Sequence, residues 1–96
     1  MSPSSDVATS ATEAVRTVTL PVDLHARPAG KFSQEAARHA ATVTVAAGEK
    51  EVDARSVLLV MSLGATAGTE VTIRATGDDA DTAADALAEL LSNVEA

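Results

Sequence analysis

The chain has no cysteine, tryptophan or tyrosine, and its single aromatic residue is Phe32. Without thiols it cannot form disulfides, thiolate metal sites or a thiol nucleophile. With one aromatic in 96 residues, the core must be assembled from Val, Leu, Ile, Met and many alanines. No apolar run approaches the roughly 20 residues a bilayer-spanning helix requires, so no membrane association is expected. Basic residues are scarce as well: 7 Lys and Arg stand against 14 Asp and Glu, a formal charge of −7. That balance argues against nucleic acid as a partner, because phosphate contacts need clustered cations. It favours solubility and partners with basic surfaces, and it is also what halophilic adaptation produces.

What is present suits one domain with a modest core, since 46% of the 96 residues are apolar. The first fourteen residues, MSPSSDVATSATEA, carry no Lys or Arg and no hydrophobic segment, unlike a secretory leader. Their Ser, Thr, Ala and Pro predict a disordered tail over 1–14, with the folded domain over 15–96. A cytoplasmic protein is the simplest expectation.

Hydrophobic alternation predicts strands at 16–20 (RTVTL), 42–46 (TVTVA), 51–54 (EVDA) and 69–75 (TEVTIRA). The second and third form a hairpin turning at Gly48. Between the first two strands, residues 26–41 have helical spacing, with Phe32, Ala36 and His39 or Ala40 along one stripe. Ser56 suits the N-cap of a short helix, VLLVMSL, ending near Gly64. Asp78 or Asp79 can cap a last helix with Ala83, Leu87, Leu90, Leu91 and Val94 on its apolar side. The order is β-α-β-β-α-β-α. Each strand has one polar side, so an antiparallel sheet covered by helices on one face satisfies the pattern, an α+β fold.

The two histidines differ in setting. His39, near the end of the long helix, suits a structural role favoured by the helix dipole. His25, in DLHARPAG, falls where extended chain gives way to that helix. A helix start leaves backbone N–H groups unpaired and carries partial positive charge, which together make an anion site. Pro28 has no N–H to offer, so the donors would be Ala26, Arg27 and Ala29. Arg27 adds a permanent cation with a fork suited to phosphate, although a residue before proline is biased away from helical geometry. His25 could be a cap or packing residue, a ligand, a base or a nucleophile. No second histidine or cysteine lies at metal-ligand spacing, and nothing singles out Ser33 and Asp23 as triad partners. A helix end stabilises a neighbouring negative group by up to about 2 kcal/mol, which suits an imidazole that becomes phosphorylated better than one acting as a base.

LHARPAGKF at 24–32, SVLLVMSLG at 56–64 and GTEVTI at 68–73, in this order, closely resemble HPr, the phosphocarrier family of the bacterial phosphoenolpyruvate-dependent sugar phosphotransferase system. The resemblance extends over about residues 16–93. It implies an open-faced β-sandwich, a four-stranded antiparallel sheet of order 1-4-2-3 with three helices on one face. It implies a relay protein rather than an enzyme with its own substrate pocket, without cofactor or metal, and monomeric. His25 would accept a phosphoryl group on Nδ1 from phosphorylated enzyme I and pass it to IIA components of sugar permeases. Arg27 would be the active-site arginine, with the backbone of Ala26 and Arg27 binding the phosphoryl oxygens. Gly30, Val57, Leu58, Leu59 and Met61 would form the docking surface; the short helix is apolar around nearly its whole circumference, and Val60 and Leu63 suffice to fill the core beneath it. Ser56 matches a serine that HPr kinase phosphorylates in some bacteria. Readings in other classes are a regulatory binding module of the same fold, or a carrier in a nitrogen-related or dihydroxyacetone-kinase branch. Three positions depart from the usual family pattern. Asp23 replaces a glycine, which puts a negative charge beside a phosphoryl site; Gly30 replaces an alanine; Leu59 replaces glycine or a polar residue.

Overall fold

The computed structural model describes residues 13–95. Seven elements follow one another: β1 (Glu13–Thr19), α1 (Ala26–Ala37), β2 (Thr42–Ala47), β3 (Lys50–Asp53), α2 (Val57–Met61), β4 (Glu70–Thr76) and α3 (Ala80–Asn93). The strands form one antiparallel sheet in the order β1-β4-β2-β3. This is the open-faced architecture that the family resemblance implied. The tail expected over 1–14 lies outside the described residues except for Glu13 and Ala14, which open β1.

Strand parity decides which face the helices cover. Ala14 and Val18 in β1, Val43 and Val45 in β2, Val52 in β3, and Val71, Ile73 and Ala75 in β4 are all buried. Their neighbours Thr17, Thr19, Thr42, Glu51 and Arg74 are exposed on the open side. From the helices come Phe32 and Ala36 of α1, Val60 of α2, and Ala83, Leu87 and Leu91 of α3, each fully buried. Burying a Val, Leu, Ile or Phe side chain contributes roughly 1.5–3 kcal/mol, so this apolar layer carries most of the fold's driving force. The hairpin between β2 and β3 turns on two residues, since Ala47 still pairs with Lys50. Gly48 takes φ of 62° there, as the first central residue of a type II′ turn requires.

Several expectations are corrected. Helix α1 stops at Ala37 instead of continuing to Ala41. Asp79 is the N-cap residue of α3, but its carboxylate makes no cap bond and instead accepts from the Ala40 N–H at 3.1 Å. Leu63 and Leu90 are half-buried rather than fully in the core. His39 lies just past the end of α1; its Nε2 is 2.8 Å from Glu35 Oε2 and its Nδ1 is 3.6 Å from Asp79 Oδ2. A hydrogen-bond partner one turn back on α1, and not the dipole alone, holds that ring, with the Asp79 carboxylate close by.

Candidate functional site at the start of α1

His25 is the N-cap residue of α1, with extended backbone at φ −99° and ψ −160°. Its backbone is fixed on both sides. The preceding Leu24 is 2% exposed, and its N–H donates to the Ala65 carbonyl at 2.9 Å. On the following side, the Ala29 N–H donates to the His25 carbonyl, also at 2.9 Å. The ring itself is exposed and makes no cap bond. A buried leucine and the first helical bond therefore anchor a side chain that is left to face solvent.

The Ala29 bond removes one expected donor, because that N–H closes the first helical turn. Ala26 and Arg27 keep theirs without an acceptor among the described residues, as the first two positions of a helix must. Pro28 is the third helical residue and is buried, so its missing N–H costs the helix no bond. The helix is regular through Arg27 despite the proline that follows. The Arg27 side chain is exposed and has no ion-pair partner among the described residues.

Opposite the ring runs the loop from α2 to β4. It is bonded to the segment between β1 and α1 at several points: the Leu20 N–H to the Thr69 carbonyl, the Gly68 N–H to the Leu20 carbonyl, and the Leu24 bond already described. Asp23 adds a side-chain clamp, its Oδ1 accepting from the Ala67 N–H at 2.8 Å. Between the two segments lies a hollow of about 180 Å³ lined by Asp23, Leu24, His25, Met61, Gly64, Ala65 and Thr66. The hollow is mostly apolar, with an imidazole and a carboxylate among its walls.

Of the residues singled out for docking, Met61 joins this hollow, whereas Leu58 is 80% exposed and Leu59 44% exposed outside it. Val57 is half-buried against the core, and Gly30 is partly exposed on α1. Ser56 caps α2, its Oγ accepting from the Leu59 N–H at 3.2 Å. Arg27, Gly30, Ser56 and Leu58 do not line the hollow. The Gly64–Thr66 wall and the Asp23 clamp escaped the sequence reading; a contact spanning 44 positions leaves no periodic trace. Among the described residues, no group of His, Asp and Glu is placed to hold a metal ion.

Fold and site together define a small α+β domain that presents an exposed imidazole at the start of a helix. The family model for the phosphorylation site of the phosphotransferase-system HPr component matches residues 12–93. The phosphocarrier protein HPr of Mycoplasma capricolum is 39% identical over 74 residues, covering 77% of this chain and 83% of the relative. The HPr-like protein Crh of Bacillus subtilis is 44% identical over 71 residues, 74% of this chain and 84% of that protein. The crystal structure of HPr from Bacillus anthracis superimposes with a TM-score of 0.77 at 37% identity, covering 82% of this chain and 96% of that one. The chain belongs to the HPr family of phosphocarrier proteins.

Proposed function

We propose that the protein carries a phosphoryl group on Nδ1 of His25, taking it from phosphorylated enzyme I and delivering it to IIA domains of sugar permeases. The Nδ1 lone pair forms the new P–N bond as the donor's P–N bond breaks, its electron pair returning to the donor nitrogen. The ring gaining the phosphoryl group loses the proton that the released ring takes up. One observation carries the reading: an exposed imidazole sits at the N-cap, followed by two N–H groups without an acceptor among the described residues and by the exposed Arg27, which has no ion-pair partner among them. Amides and one arginine stabilise a phosphoryl group mildly, which suits a group that must leave again.

The outward side of α2, with Leu58 and Leu59 exposed, supports docking of protein partners beside that ring. Phosphorylation of Ser56 by a kinase would put charge at the same surface and repel acidic partners rather than unfold the domain. A purely regulatory module has no use for a presented imidazole with free donors. The protein acts as a cytoplasmic monomer in this reading.

The test is incubation with enzyme I, Mg²⁺ and phosphoenolpyruvate, followed by intact mass measurement. One acid-labile phosphoryl group is expected, absent in His25→Ala and retained in His39→Ala. Label that survives His25→Ala overturns the assignment. Donors from a nitrogen-related or dihydroxyacetone-kinase branch, assayed in parallel, identify the pathway.

A further inference from the structure

We infer that Asp23 sets the strength with which His25 holds its phosphoryl group, acting through its charge as a counterweight to Arg27 and the helix start. The inference rests on the phosphocarrier reading above and assigns a role to a residue that the family pattern does not supply.

Asp23 and His25 line the same hollow, two residues apart, with Leu24 buried between them. The Asp23 Oδ1 accepts a hydrogen bond from the Ala67 N–H, in the loop between α2 and β4, which orients the carboxylate. Its only hydrogen-bond partner among the described residues is therefore a neutral amide. No lysine or arginine among them lies within ion-pair reach of it. A carboxylate is thus held at the edge of the hollow that His25 lines.

A phosphoryl group brings about 1.5–2 negative charges at neutral pH. Across a hollow open to water, repulsion from one fixed carboxylate amounts to about a threefold to tenfold shift in an equilibrium constant. The effect has the opposite sign to that of Arg27 and of the unpaired N–H groups of Ala26 and Arg27. The site consequently balances attraction from the helix start against repulsion from the segment that precedes it, and the phosphoryl group is held more loosely than the arginine and amides alone would hold it.

A structural explanation competes: Asp23 could matter only as the clamp that ties the segment before α1 to the loop before β4. Asp23→Asn separates the two, because its amide oxygen can still accept from Ala67 while the charge is gone. Asp23→Gly removes both charge and clamp. The experiment uses the full chain with enzyme I and a series of phosphoenolpyruvate-to-pyruvate ratios, and reads the phosphorylated fraction at equilibrium by intact mass. Both variants are expected to raise the phosphorylated-to-free ratio about threefold to tenfold at ~50 mM KCl, falling below about twofold at ~1 M KCl, where screening acts within a few ångströms. Thermal midpoints recorded alongside show that each variant is folded. An unchanged ratio in Asp23→Asn overturns the inference, and so does a shift seen only in Asp23→Gly or one insensitive to salt. If the unaltered protein takes no label at all, the phosphocarrier reading falls and this role for Asp23 falls with it.

Discussion

Gly30 sits inside α1, and beyond its chain neighbours and the helix's own backbone no heavy atom of the described residues lies within 4 Å of the place a Cβ would occupy. A glycine there lowers helix propensity and widens the unfolded ensemble without a steric reason. Gly30→Ala should raise stability by about 0.5–1 kcal/mol, measured as a higher urea midpoint at unchanged slope; a loss of stability would mean that the helix needs the space. Ser33 is the other odd residue of this helix, 3% exposed with an Oγ that finds no partner among the described residues. At this scale the sequence was most informative where one residue's chemistry decides the outcome. His25 before a helix, with arginine and proline after it, pointed to a presented imidazole. Asp23 was visible as a departure, but its bond to Ala67 was not, because nothing local marks an amide 44 positions away as its partner.

Among the elements, α2 depends most on a single side chain. It has only 5 residues, and the Ser56 hydroxyl satisfies the Leu59 N–H within it. Ser56→Ala should cost about 0.5–2 kcal/mol, and Ser56→Asp should recover most of that loss, because a carboxylate caps as well as a hydroxyl. Chemical denaturation of the three proteins checks the order; an alanine variant as stable as the parent would show the cap to be idle. The end of α1 shows what periodicity cannot supply. The run AARHAA at 36–41 is good helix material with no glycine or proline, yet the helix stops at Ala37. Beyond it the Ala40 N–H goes to Asp79, and Ala41 is buried ahead of β2. Tertiary demands overrode propensity there. Edge strand β1 is likewise pinned from a distance: Arg16 Nε donates to Asp85 at 2.8 Å and its Nη2 approaches Asp81 at 3.5 Å. The hydrogen bond to Asp85, before any other cause, raises the guanidinium pKa. A raised cation loses its contribution only as pH climbs through its folded-state value. For an arginine that is far above neutrality, so this link adds no pH dependence in the working range.

For the molecule as a whole, charge is the least balanced quantity. A formal charge of −7 on 96 residues means net self-repulsion in the folded state. Raising KCl from ~20 mM to ~0.5 M should therefore raise the thermal midpoint by a few degrees, as screening relieves the repulsion. A midpoint that falls with salt would show that ion pairs such as Arg16–Asp85 outweigh it. Strand order was not legible from alternation alone, which gave four strands and a covered face; the placement of β4 between β1 and β2 came with the family resemblance. The open face of the sheet offers a practical benefit. Thr17 lies exposed on the side the helices leave bare, paired across to Thr72, and the chain contains no cysteine. A single Thr17→Cys substitution would create one unique thiol on that bare side. A fluorophore attached there could report partner encounters in real time while leaving the imidazole and α2 unobstructed.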